Sequence, residues 1–346
     1  FIMAVMPLSD SSSMHLMRAE SPGPSVGKLV PKVKTTAMIL YGIYVIFTVI
    51  EIIALLIAGM PLFDSMTLTF GTVGTGGFGL LNSSIASYST AVQIIITVFM
   101  IICSINFTVY YMFLIKRPKE ALMCEEMRYY LLIVFGSALL IAFNIRASFA
   151  SFGKAFQQAI FQVASVISTT GFATADFNLW PEFSRMILVL LMFVGACAGS
   201  TGGGFKVSRL IIMVKSVRNE IMSVTHPRSV QKVHMDGRRI PDNVVKTVLC
   251  YLAGYVVILI VSVLLISLDN FDMTTNFTAV MATFNNVGPG LNRVGPTGNF
   301  GGFSVLSKLV LMFDMLVGRL ELYPMLVIFA PGLWRIHPHR HVGKVQ

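Results

Sequence analysis

The chain has 346 residues, 55% of them hydrophobic and only 12% charged, with a mean hydropathy of +0.76. A water-soluble protein covers its surface with about a quarter charged residues, so this composition excludes a soluble globule and assigns the chain to the membrane. The net charge of +10 would suit nucleic acid, but no basic run is interleaved with stacking aromatics, which excludes that partner.

The opening FIMAVMPL is too short to span anything and reads as the last turns of a helix whose beginning is absent, so a fragment is expected. Residues 35–59 and 91–115 each hold the roughly 20 apolar residues that cross a bilayer core of about 30 Å. Between them lie a short amphipathic segment at 61–71 and TVGTGGFG at 72–79. The same succession recurs twice. It runs through 129–147, 154–167, STTGFAT at 168–174 and a helix starting near Arg185, then through 246–268, 273–284, NNVGPG at 285–290 and a helix over 303–330. The middle segments reach only about 16 to 21 Å as helices, so they are expected to enter the membrane and return. Non-helical backbone at that depth is tolerated only where protein buries it or it lines a water-filled path.

Aligned on one glycine, the loops read VGTGG, STTGF and NNVGP, centred on Gly76, Gly171 and Gly288 and preceded by Thr75, Thr170 and Val287. Glycine permits backbone angles closed to other residues, so successive carbonyls can face a common axis and replace an ion's hydration shell. The candidate ion ligands are Val73, Gly74, Thr75 and Gly76; Ser168, Thr169, Thr170 and Gly171; and Asn285, Asn286, Val287 and Gly288. No carboxylate lies in these stretches, which suits a weakly hydrated monovalent cation better than calcium.

The stretch 185–215 is longer than the membrane core and is broken by Gly199, Ser200, Thr201, Gly202, Gly203 and Gly204. The run GSTGGGFK lacks the Lys-Ser/Thr ending of a phosphate-binding loop and follows an apolar helix, so a flexible intramembrane gate is expected in place of a nucleotide site. Arg319, set deep in the last apolar helix, is a functional candidate because a charge there is expensive. It is expected below the loops as a cation barrier, the alternative being a salt bridge with Asp314 or Glu321. Glu51 and Asp64 read as interfacial or capping groups. The four cysteines are scattered, without metal or redox spacing, and HPHRH at 337–341 reads as a basic tail.

Basic residues cluster before residue 35, at 116–128, at 206–246 and after 334, in segments that one alternating topology places on the same side. The positive-inside rule makes that side cytoplasmic.

The motifs TVGTGGFG, VISTTGFATADFN, GSTGGGFK, FNNVGPGL and GRLELYP together resemble the TrkH-type potassium-uptake subunits of the Trk/Ktr/HKT superfamily. The resemblance implies an all-α integral membrane protein with K⁺-channel-like repeats of transmembrane helix, pore helix, filter loop and transmembrane helix around one pore. Three of four repeats are expected here. Residues 1–34 would hold the end of the first repeat's outer helix and a cytoplasmic linker, 35–115 the second repeat, and 116–216 the third with its broken last helix. A basic cytoplasmic loop at 217–245, the fourth repeat at 246–330 and a tail at 331–346 would follow.

The resemblance further implies K⁺ uptake across a bacterial inner membrane, K⁺ at the filter with no organic cofactor, and a homodimer in contact with lipid. It also implies a cytosolic ring of RCK-type, TrkA-like nucleotide-binding subunits as regulatory partner. An ion-coupled secondary transporter, moving K⁺ with H⁺ or Na⁺, is the competing class because it too uses broken helices. An enzyme is not expected, since no paired carboxylates, activated nucleophile or metal cluster stands out.

Overall fold

The computed structural model describes residues 33–226 and 231–320, together with Leu322, Met325 and Leu326; the expectations for 1–32 and 331–346 fall outside the described residues. Helix α1 (Val33–Ile57) ends at Ala58 and Gly59, the latter at φ +85°, and Pro61 starts the short helix α2 (Leu62–Val73). Twelve residues make α2 about 18 Å long, so it cannot cross the bilayer core. A second short helix, α7 (Phe152–Ile167), follows the long α6 (Glu125–Ile145), and a third, α11 (Met273–Phe284), follows α10 (Asp242–Ile266). Among the described residues, three unbroken segments are long and apolar enough to cross a membrane: Ala37–Ile57, Glu125–Ser148 and Asp242–Asp269. Their outward faces, with Ile53, Leu132, Val257 and Leu264 exposed, suit lipid. The all-α membrane architecture expected from the repeats is therefore present.

The run 91–115, expected as one span, is two helices bent by 87°: α3 (Thr90–Cys103) and α4 (Phe107–Leu114). The polar residues inside that apolar run explain the break. Ser104 Oγ donates back to the Met100 carbonyl at 2.8 Å, and Asn106 Oδ1 accepts from Thr108 N at 2.9 Å, capping a new helix. A short helix α5 (Pro118–Leu122) leads into α6. The second break is wider than its glycines suggested. Helix α8 (Glu182–Val194) stops at Gly195 with φ +69°, and α9 (Val207–Thr225) restarts only after Lys206.

Packing concentrates on α6 against α7, where Ala138, Ala142, Ala155 and Ala159 belong to one buried cluster. Small side chains let two helix backbones approach closely where lipid supplies no hydrophobic drive. After α9, a two-residue hairpin pairs His234–Met235 (β1) with Arg238–Arg239 (β2), turned by Asp236 and Gly237, both at positive φ as a tight hairpin turn requires. The last described helix, α12 (Val305–Leu320), packs on α11.

At the entrance to α11, Asp272 is the N-cap: its carboxylate accepts from Thr275 N at 2.9 Å, Thr275 Oγ1 at 2.6 Å and Asn292 Nδ2 at 2.8 Å. The Thr275 hydroxyl, chiefly, holds this carboxyl below its ordinary range. A depressed folded value stabilises the protein fully above the unfolded value, and the benefit is lost as pH falls through the folded one. Asp272→Ala is predicted to lower the stability of the detergent-solubilised protein by about 1 kcal/mol at neutral pH. In thermal unfolding, the gap between parent and variant closes as pH drops below about 4.

Candidate ion pathway

The C-termini of α2, α7 and α11 each unwind into the same turn. Thr75 N, Thr169 N and Asn286 N donate to Thr72 O, Val166 O and Thr283 O at 3.1, 3.1 and 3.0 Å. The next two amides then share one carbonyl: Gly76 and Gly77 on Gly71 O, Thr170 and Gly171 on Ser165 O, Val287 and Gly288 on Ala282 O. Thr75, Thr169 and Asn286 lie at φ +51°, +61° and +57°, and Gly77, Gly171 and Gly288 at +67°, +85° and +104°.

This pattern corrects the sequence alignment by one residue in the first loop: the equivalent of Gly171 and Gly288 is Gly77, and Gly76 matches Thr170 and Val287. Two adjacent glycines made the register ambiguous in sequence, and only the backbone angle separates them. Gly77, absent from the candidate ligands, therefore takes the position given to Gly76, while Val73 is the last residue of α2.

Because N–H and C=O of a trans peptide point in opposite directions, amides that bond back to the helix end send the carbonyls of Thr75 and Gly76, and of their equivalents, away from it. Neighbouring turns interlock at that point. A Cβ on Gly77 would overlap Thr170 O, and one on Gly171 would overlap Val287 O; on Gly288 it would meet nothing within 4 Å among the described residues. Beyond the turns lies a cavity of about 250 Å³ lined by Gly77, Gly79, Gly171, Gly288 and Pro289 among others.

On the opposite side of the turns sits the glycine-rich loop. Its neck is stitched by backbone bonds from Phe205 N to Phe193 O at 3.2 Å and from Lys206 N to Val194 O at 3.0 Å. Gly195 and Gly204 meet there, and a Cβ on Gly195 would stand 2.6 Å from Gly203 O. The α3/α4 break holds one flank: Cys197 N donates to Ser104 O at 3.1 Å, Phe107 N to Gly199 O at 3.1 Å and Thr201 Oγ1 to Cys103 O at 3.2 Å.

The tip reaches the turns directly. Thr75 Oγ1 is shared between Gly74 O at 2.8 Å and Thr201 O at 2.9 Å, and Gly203 N donates to Thr169 Oγ1 at 2.6 Å. A Cβ on Gly202 would stand 2.8 Å from Ser168 O, and one on Gly203 would stand 2.9 Å from Asn285 O, so the loop fits under the turns only as glycine. Ser200 Oγ donates to Cys197 O at 2.6 Å.

Two cations bond carbonyls at the tip of the loop. Arg319 Nη1 donates to Thr201 O at 3.2 Å, and Lys206 Nζ donates to Gly202 O. The intrahelical salt bridge weighed for Arg319 is not formed with Asp314, which is buried and accepts from Ser262 Oγ at 2.7 Å; Glu321 lies outside the described residues. Asn286 Nδ2 donates to Met315 O at 3.2 Å, tying the third turn to α12.

Two acids were misread or missed in the sequence. Glu51, expected at an interface or cap, is fully buried in α1, and neither carboxylate oxygen has a hydrogen-bond partner among the described residues. The Thr72 hydroxyl beside it donates to Leu68 O at 2.8 Å instead. Glu126, buried in the first turn of α6, accepts from Ala198 N at 2.7 Å and Ser208 N at 3.1 Å. Asp64 does stand in the first turn of α2, where it accepts from Tyr88 Oη at 3.0 Å. Among the described residues, no group of three His, Cys, Asp or Glu side chains could hold a metal ion.

The family model described as "TrkH: Cation transport protein" matches residues 1–336. The chain is 35% identical, over 96% of its length and 69% of the relative's, to the Trk system potassium uptake protein TrkH of Salmonella typhimurium and equally to that of Escherichia coli K12. The crystal structure of the potassium transporter TrkH from Vibrio parahaemolyticus superposes with a TM-score of 0.83 at 32% identity, covering 93% of this chain and 69% of that one. The interlocked turns and the broken helix beneath them are thus set in the fold of a transport protein, and the chain belongs to the TrkH family.

Proposed function

We propose that the chain is a potassium-uptake subunit in which the three turns select K⁺ and the glycine-rich loop gates it. Residues 35–115, 116–216 and 246–330 act as repeats around one conduction path. The observation that carries this reading is the repeated turn, whose carbonyls leave the helix ends in the same sense, with Thr170 O lying against Gly77 and Val287 O against Gly171 of the preceding repeat. The ligands are the carbonyls of Gly74 to Gly77, Ser168 to Gly171 and Asn285 to Gly288, shifted by one residue in the first turn from the sequence expectation. Neutral carbonyls at helix C-termini favour a weakly hydrated cation.

Gating follows from the same contacts. The loop from Gly199 to Gly204 blocks the inner side of the turns, held by Thr75 and Thr169 from above and by Arg319 and Lys206 from the sides. The Lys/Arg distribution supports a bacterial inner-membrane orientation with the basic segments cytoplasmic. The relatives' place in a Trk system supports regulation by a cytosolic nucleotide-binding RCK-type partner and assembly as a homodimer. A second reading, ion-coupled symport, is favoured by Glu51: a carboxylate buried at membrane depth, with no hydrogen-bond partner among the described residues, is the group a proton-coupled carrier uses.

Selectivity is tested by ⁸⁶Rb⁺ and Na⁺ flux into proteoliposomes. Gly77→Ala is predicted to abolish discrimination, because its Cβ displaces the Thr170 carbonyl. Gly76→Ala, whose Cβ meets only the Phe78 ring at 3.0 Å, retains it. Equal selectivity in both variants and the parent removes the filter reading.

Arg319→Ala is predicted to raise K⁺ flux on the order of tenfold, the effect of lowering a barrier by about 1.4 kcal/mol. Deleting residues 200–203 gives high flux with unchanged selectivity and no response to the partner's nucleotide. A deletion variant that remains closed and still responds places the gate elsewhere.

Glu51→Gln separates channel from carrier. In the channel reading, flux persists and K⁺ entry moves no protons; in the coupled reading, proton movement measured with an entrapped pH dye is lost.

A further inference from the structure

The glycine-rich loop is anchored by more than its neck, and the additional anchor leads out of the membrane. Glu126 receives two backbone amides on the same oxygen, Oε1: Ala198 N, near the start of the loop, and Ser208 N, in the first turn of α9 just past its end. One buried carboxylate therefore clamps both ends of the loop, across 72 and 82 residues of chain. Position and charge suit it. Ser208 N is one of the unpaired amides at the start of α9, where a helix favours negative charge, and the Lys206 charge is close enough to act on the carboxylate.

The adjacent residue faces the other way. Glu125 N donates to Asp236 Oδ1 at 2.7 Å, so the hairpin turn caps the N-terminus of α6. The Glu125 carboxylate pairs with Lys215 of α9, and Lys215 Nζ also donates to the His234 carbonyl of the hairpin at 2.7 Å. Consecutive residues of one helical turn thus hold the hairpin, through Glu125, and the loop, through Glu126. Both sets of contacts leave one helical turn, so a displacement of that turn acts on both.

We propose that Glu126 is a positioning residue that couples the His234–Arg239 hairpin to the glycine-rich loop, so that a load on the hairpin, applied by whatever docks there, releases the loop. The inference rests on the gate reading above and adds the lever that works it. The hairpin exposes Arg238 and Arg239, the latter beside Asp242 at 3.5 Å, so the partner that loads it carries acidic groups for Arg238.

The experiment reads the loop separately from ion flux. In the full chain carrying Cys124→Ala and Cys250→Ala, Ser200→Cys reports loop release through its rate of modification by a water-soluble methanethiosulfonate in proteoliposomes, with ⁸⁶Rb⁺ flux measured in parallel. Asp236→Ala, at an exposed turn outside the membrane, is expected to speed modification roughly three- to tenfold, the factor by which loss of one hydrogen bond shifts an equilibrium. Glu126→Ala is expected to do the same. Glu126→Gln, whose carbonyl oxygen can accept both amides, should modify at the parental rate. The double variant Asp236→Ala/Glu126→Ala should be no faster than Glu126→Ala alone, because both act through one linkage.

Parental modification rates in Asp236→Ala, or effects that multiply in the double variant, overturn the coupling. Should Glu126→Ala fail to fold, Asp236→Ala combined with Glu126→Gln decides it, since the intact clamp must still transmit the loss of the cap. A parent that passes no Rb⁺ counts against the proposed function, whereas the modification rates judge the lever independently.

Discussion

Backbone amides and carbonyls that leave a helix at membrane depth must find partners inside the protein, because lipid offers none. That constraint organises this chain. The loop from Gly195 to Lys206 and the break at Ser104 to Asn106 are each other's partners: Ser104 O takes the Cys197 amide, and Gly199 O takes the Phe107 amide. Neither interruption could stand alone in hydrocarbon. The bend in α3/α4 is therefore a docking edge for the loop as well as a helix stop, and the polar residues in an otherwise apolar run were the trace of it.

The same requirement explains the charges gathered at this depth. Carbonyls at a loop tip attract cations, and Arg319 and Lys206 supply them on Thr201 O and Gly202 O. Free amides at the start of a helix attract anions, and Glu126 supplies one to the start of α9. Opposite charges thus sit at the tip and root of one loop, each bonded to backbone.

Glycine serves two separate needs here. In the turns, Gly77, Gly171 and Gly288 supply the left-handed backbone that reverses the chain after each short helix, and Gly77 and Gly171 leave room for the next repeat's carbonyl. In the loop, Gly202 and Gly203 are flat enough to lie against Ser168 O and Asn285 O. The first need is conformational, the second is one of thickness.

The membrane class, the three repeats, the short helices that cannot cross and the glycine-rich break were legible in the sequence, because each depends on local quantities: hydropathy over about 20 residues, helix length against bilayer thickness, and helix propensity. Gly76 and Gly77 are chemically identical, so the choice between them lay in backbone angles that only the folded turn defines. In the sequence Glu51 read as an interfacial or capping group, and Glu126 carried no assignment. Tertiary structure alone buried one inside α1, with no hydrogen-bond partner among the described residues, and set the other between the two ends of a loop more than 70 residues away, because burial and long-range hydrogen bonds are properties of packed helices and of no single segment.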